Sequence, residues 1–132
     1  MMRAVLADAT ALYAAADAGD SLHRRAIQDF GKLKSGGRAI IVAYPTLLET
    51  QTLVLKRMGI DAAVRWMDYM SDAALLNPTP EDYRQAMAKI RVFAGQDISM
   101  FDATVAVVAL RLGLEVWTYD HHFDVMRIPV WR

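Results

Sequence analysis

The apolar positions of this chain alternate between short unbroken runs and longer stretches in which an apolar residue returns every three or four positions. The first habit marks strands buried on both faces, the second helices with one buried side. Arg3 to Ala7 is an apolar run closed by Asp8 and predicts a strand. Thr10, Leu12, Tyr13 and the alanines to Ala16 suit a helix, which Asp17 to Asp20, with Gly19, break. Asp20 or Ser21 can cap a second helix carrying Leu22, Ala26, Ile27, Phe30 and Leu33. Its other face holds His23, Arg24, Arg25, Lys32 and Lys34, and Gly36-Gly37 ends it. Arg38 to Tyr44 predicts a second strand. Pro45 stands at a favoured first helical position, opening a helix to about Met58. Asp61 to Leu76 reads as another helix, closed by Asn77-Pro78. Thr79-Pro80-Glu81-Asp82 combines a capping Thr, a Pro and first-turn acids, and starts a helix to about Phe93. After a loop from Gly95 to Ile98, Ser99 caps a helix ending near Leu112-Gly113. Leu114 to Tyr119 predicts a third strand. Ile128 to Trp131 can add a short fourth strand near an edge, since Pro129 cannot donate to a ladder.

Strands separated by helices predict an α/β fold, a three-layer sandwich with a mostly parallel central sheet flanked by helices. The length of 132 residues fits a single domain spanning 1–132. A hydrophobic content of 55% argues for a packed core rather than disorder. Formal net charge is zero, so any polyanion must be bound by a local patch rather than by bulk attraction. Cysteine is absent, which excludes disulfides and thiolate metal sites and suits a reducing compartment. No signal-peptide apolar region forms before Asp8, and the apolar run Ala103 to Leu110 is too short to span a membrane. The expectation is a soluble, cytoplasmic protein.

The acids change the picture further. Twelve are Asp and only three, Glu49, Glu81 and Glu115, are Glu. Asp is poor inside helices but common at caps, turns and hard-cation sites. Asp8 closes the first strand and Asp120 the third, and open parallel sheets gather ligands at such strand ends. Either one alone also reads as an ordinary turn residue. Asp102 falls on the same helical side as Val105, Ala106, Ala109 and Leu112, with Thr104 and Arg111 opposite. Ser99-x-x-Asp102 resembles a capping box, yet a carboxylate on an apolar side needs a partner, and a metal is a common one. Periodicity puts Glu49 away from Leu47, Val54 and Met58, as a solvated first-turn acid nearer Leu53 and Lys56. Asp124 can be a further ligand or a loop cap. Thr10 and Thr118 can orient a neighbouring carboxylate or a water, or simply turn the chain. His121 and His122 are expected to be exposed rings.

Taken in order, these pieces resemble the PIN domain, the fold of many metal-dependent ribonucleases and of VapC-type toxins. The resemblance rests on the strand followed by Asp8-x-Thr10, the acidic turn and His-containing helix from Asp20 to Ala26, and Tyr44-Pro45 through Glu49. It is completed by Ile98-Ser99-x-x-Asp102-Ala103 and Thr118-Tyr119-Asp120-x-x-Phe123. It implies that Asp8, Glu49, Asp102 and Asp120 converge to bind Mg²⁺ or Mn²⁺, overruling the periodicity of Glu49, with Asp124 a variable extra acid. Ser99, Thr10 and Thr118 would support them.

That resemblance implies hydrolysis of RNA phosphodiester bonds, a small antitoxin partner that silences the enzyme, and a homodimer. RNA could be guided by Arg24, Arg25, Lys32, Lys34 and Arg38, or these could form an ordinary solvated face. The alternatives are a catalytically idle PIN scaffold binding RNA or protein, a housekeeping nuclease in RNA processing, and a phosphotransfer domain using Asp8 as nucleophile. The last lacks the second Asp and the Lys that such a reaction needs.

Overall fold

The computed structural model describes residues 3–132. Its four strands are β1 (Arg3–Ala7), β2 (Arg38–Ala43), β3 (Ala74–Leu76) and β4 (Glu115–Trp117). They form one sheet in the order β3-β2-β1-β4, parallel at each pairing. The sheet is therefore wholly parallel. Helices α1 (Ala9–Ala16), α2 (His23–Ser35), α3 (Tyr44–Met58) and α4 (Ile60–Met70) precede β3 or lie between the first strands. Helices α5 (Pro80–Val92), α6 (Met100–Leu112) and α7 (His122–Val125) complete the described chain.

Strand alternation divides the core in two. Val5 and Ala7 of β1, Val42 of β2 and Trp117 of β4 pack on one face with residues of α1 to α4, among them Leu12, Leu33, Val54 and Trp66. Leu6 and Val116 point to the other face, against Ala86 of α5, the buried stretch Ala103 to Ala109 of α6, and Phe123. This is the three-layer sandwich, with period-two side chains buried on both faces. Among the described residues no helix is long and apolar enough to cross a membrane.

Three expectations need correction. Residues 74–76 are not the end of the α4 helix. The chain turns at Ser71, whose hydroxyl donates to the Asp68 carbonyl, and Ala74–Leu76 then pair with Ile41 to Ala43. Ala-Leu-Leu favours helix by intrinsic preference, but the open edge of β2 offers unpaired backbone groups, and satisfying them wins. The proposed fourth strand at 128–131 contracts to one parallel bridge, Val116 to Val130, held by the Val116 N–H on the Pro129 carbonyl and the Trp131 N–H on the Val116 carbonyl. Pro129 has no N–H with which to extend it. The polar side of α6 is only partly solvent-facing: Thr104 is buried, while Arg111 stays exposed as it reaches Asp82 of α5.

The strand order creates a crevice. From β1 the chain moves outward to β2 and β3, then returns across the sheet to enter β4 on the other side of β1. The crevice opens at the carboxyl ends of β1 and β4, where ligands collect in such sheets. Gly113, at φ 66°, closes α6 in a left-handed turn that a side chain would strain, and aims the chain into β4.

Candidate functional site

Asp8 follows β1 directly and caps α1, its Oδ1 accepting the Ala11 N–H at 3.1 Å. The Thr10 hydroxyl donates to Oδ1 at 2.7 Å, and the Thr118 hydroxyl to Oδ2 at 2.6 Å. Each threonine oxygen also accepts a backbone N–H, from Tyr119 and Asp120 respectively. Each hydroxyl has one proton and gives it to Asp8, so the two hydroxyls, 3.3 Å apart, meet without a proton to share. Asp8 Oδ1 thus accepts two bonds and Oδ2 only one, which leaves Oδ2 with acceptor capacity for a cation.

Asp102 stands in the first turn of α6, whose cap is Ser99: the Ser99 hydroxyl accepts the Asp102 N–H at 3.1 Å. The reciprocal half of a capping box is missing there. It is present at the start of α5, where Asp82 accepts the Thr79 N–H at 2.9 Å and forms a two-pronged pair with Arg111. The two carboxylates share a local sequence pattern and differ in fate. Arg111 holds the Asp82 carboxyl below its usual range. Burial, followed by the charge of Asp120, pushes that of Asp102 up.

Asp120 lies three residues beyond β4, its Oδ1 accepting the His122 N–H at 2.9 Å in a turn that opens α7. Glu49, in the second turn of α3, faces the same crevice. Its carboxyl is pushed up to about 7 by burial and then by the charges of Asp102, Asp8 and Asp120. Burial likewise raises Asp8 to about 6 against the pull of its hydroxyl donors. The cleft these residues line measures about 320 Å³ and also includes Ala9, Tyr13, Asp20, Leu53 and Arg57.

Asp8, Glu49, Asp102 and Asp120 are thus brought together. Glu49 and Leu53, on the side of α3 that periodicity assigns to solvent, face the cleft instead, while Met58, assigned to the core, is exposed. Asp124 is not in the cleft: it is exposed and pairs with Arg132 at 2.8 Å. Arg38 pairs with Glu115 at 2.8 Å and sits at the opposite end of the sheet, paired in register with Arg3. Five residues of strand separate that end from Asp8, roughly 16 Å at 3.3 Å per residue, so Arg38 is out of position to guide RNA into the cleft. Arg24, Arg25, Lys32 and Lys34 remain on the exposed side of α2.

Oxygens of Asp8, Asp102 and Asp120 can lie within 4.8 Å of one another. Three carboxylates so close, with Glu49 beside them, repel unless protons or a cation intervene. Several hard oxygen donors supplied by separate elements fit a hard divalent cation.

A family model for the PIN domain matches residues 5–129. The chain belongs to the PIN domain family. No protein with a curated functional description matches the sequence significantly. Among solved structures, this PIN domain is similar to VapC20 of Mycobacterium tuberculosis, a sarcin–ricin loop cleaving toxin, at TM-score 0.85 and 22% identity over 97% of this chain and 98% of that one. It is similar to VapBC2 from Rickettsia felis, bound to a promoter DNA fragment, at TM-score 0.74 and 14% identity, with 98% and 97% covered. It also resembles FitAcB from Neisseria gonorrhoeae at TM-score 0.68 and 15% identity, with 97% and 96% covered. At these identities the shared property is the fold.

Two side chains at this PIN-domain cleft escaped the sequence reading. His121 is exposed as expected, but His122 is not: its Nδ1 is buried without a hydrogen-bond partner, 3.1 Å from Asp120 Oδ1 and 3.6 Å from Asp102 Oδ2. The Asp-x-His spacing of an Asp-initiated turn was the available signal. Arg57 completes a ridge with Glu49 and Leu53 at four-residue intervals on α3, a pattern visible once Glu49 is known to face inward.

Proposed function

We propose that this chain is a divalent-metal-dependent ribonuclease, using Mg²⁺ or Mn²⁺ to hydrolyse RNA phosphodiester bonds as the toxin of a toxin–antitoxin pair. The observation that carries the reading is the convergence of carboxylates from β1, α6 and the β4 exit within 4.8 Å, with Glu49 in the same cleft. Asp8, Glu49, Asp102 and Asp120 are the residues assigned to hold the ion. When bound, a hard cation neutralises charge building on the phosphate and makes a water more acidic.

The rest of the chemistry belongs to the protein. Asp8 is the fixed corner, because two hydroxyls and one N–H set the plane of its carboxylate. Thr118 ties that corner to Asp120 by accepting its N–H, so the two strand ends keep one spacing. In the metal-free cleft, burial and then the charges of Asp102, Asp8 and Asp120 hold the Glu49 carboxyl up, a cost that a cation among the four acids would relieve. No lysine lines the cleft, which disfavours the phosphotransfer alternative.

The likeness to VapBC complexes supports an antitoxin partner, and a homodimer is part of the same proposal. The exposed apolar side chains Leu48, Ile60, Val64 and Met67 on α3 and α4 provide surface for such a partner. A cysteine-free chain acting on RNA suits the cytoplasm. Controlled expression in a bacterial host tests the reading: growth arrest with newly cleaved RNA is expected from the wild type. The Asp102→Asn variant should permit growth, as should co-expression of a small reading frame lying immediately upstream. Equal arrest by wild type and Asp102→Asn would contradict the proposal.

A further inference from the structure

Among the residues lining the acid cleft, one side chain is cationic at any ordinary pH, Arg57 in the last turn of α3. Its guanidinium carbon lies 4.8 Å from the centroid of the Tyr13 ring. That ring is a fixed shelf: Tyr13 is 4% exposed, and its hydroxyl donates to Asp17 Oδ2 at 2.6 Å. A planar guanidinium resting on an aromatic face keeps its N–H edges available. Among the described residues no carboxylate pairs with Arg57.

Arg25 supplies the contrast. It lies 4.9 Å over the Tyr119 ring, whose hydroxyl donates to Asp29 at 2.7 Å, a near-copy of the first arrangement. Yet Arg25 Nε is 3.7 Å from Asp29, so part of its charge is already answered, and Arg25 does not line the cleft. Arg57 feels the charge of Asp17 but makes no ion pair with it, and it lines the cleft. It stands eight residues from Glu49, about 12 Å along the helix axis at 1.5 Å per residue. A group that far along the cleft meets a phosphate flanking the one between the acids, not that phosphate itself.

We propose that Arg57 holds a backbone phosphate of the RNA flanking the scissile one, donating its N–H edges to the non-bridging oxygens. The proposal rests on the ribonuclease reading above and adds to it the protein's own anion-binding group. The geometry of the guanidinium fork matches a phosphate, and a contact to backbone rather than to a base is independent of sequence.

Binding of short fluorescently labelled single-stranded RNAs, measured with Mg²⁺ over a range of salt, tests it in an Asp102→Asn background. Adding Arg57→Gln is expected to weaken binding about tenfold for every sequence tried. It should make the slope of log affinity against log salt shallower by about 0.7, one phosphate contact on a single strand. Arg57→Lys should keep the slope, and Arg25→Gln should change affinity less than Arg57→Gln does. Arg57 is exposed, so an unchanged melting temperature for each variant shows that the fold is intact. Unaltered affinity and slope in Arg57→Gln would overturn the assignment, as would a loss confined to one RNA sequence. If the wild type fails to cleave RNA with either Mg²⁺ or Mn²⁺, the nuclease reading falls and Arg57 falls with it. Cleavage by the wild type together with an unchanged slope removes Arg57 alone.

Discussion

Raising the pH of the metal-free protein from 5 to 8 should destabilise it. Burial and mutual repulsion lift Asp8 from 3.8 to about 6 and Glu49 from 4.5 to about 7, and lift Asp102 as well. In the unfolded chain these carboxyls ionise near 4. Across the window between, the folded protein binds more protons than the unfolded one, so stability falls as pH rises. Asp8, almost wholly buried, accounts for about 1.4 kcal/mol of that loss between pH 5 and 8. Glu49 is only partly buried, and screening by solvent holds its share to about 1 kcal/mol. The total of roughly 2 kcal/mol corresponds to a fall of about 6–10 °C in Tm for a chain of this size. Thermal melts in chelator at several pH values read it directly. Glu49→Gln should flatten the dependence, and saturating Mn²⁺ should raise Tm more at pH 8 than at pH 5. A Tm that is level or rises from pH 5 to 8 in chelator would refute the claim that these acids crowd one another.

Three further outcomes follow from neighbouring contacts. Arg111→Met leaves the buried Asp82 carboxylate with only its cap, which should cost about 2 kcal/mol in denaturant melts while cleavage per folded molecule is unchanged. Because Arg111 depresses Asp82, that contribution is present above the ordinary Asp range and disappears as pH falls through the lowered value, so the variant should lose its disadvantage in acid. Thr118→Val removes the hydroxyl that donates to Asp8 Oδ2 and the acceptor of the Asp120 N–H. Calorimetric Mn²⁺ titration should show about tenfold weaker binding, and Thr118→Ser should restore it.

The layered fold was legible because its strands are unbroken apolar runs and its helices carry strong end signals. Where two signals competed, the longer-range one decided. Ala74–Leu76 has helix-forming residues, but the edge of β2 claims it. Glu49 has the spacing of a solvent-facing residue, because its helix side looks into an open cleft that local periodicity cannot distinguish from bulk water. Asp82 and Asp102 follow the same Ser/Thr-x-x-Asp spelling, and Arg111, 29 residues beyond Asp82, together with a completed capping box, separates the structural acid from the one left in the cleft. His122 was misread for a related reason: adjacent rings look alike in sequence, and the turn begun by Asp120 buries one and exposes the other.

The central claim is that the acid cluster cuts RNA only with a divalent cation in place. The decisive measurement is the rate of cleavage of a structured RNA by purified wild type and Asp102→Asn, each with Mg²⁺, with Mn²⁺ and with chelator. Cleavage is expected from the wild type with either ion and from neither protein in chelator, with Asp102→Asn slowed at least about a hundredfold. Cleavage that persists in chelator, or that Asp102→Asn carries out at the wild-type rate, would contradict the account.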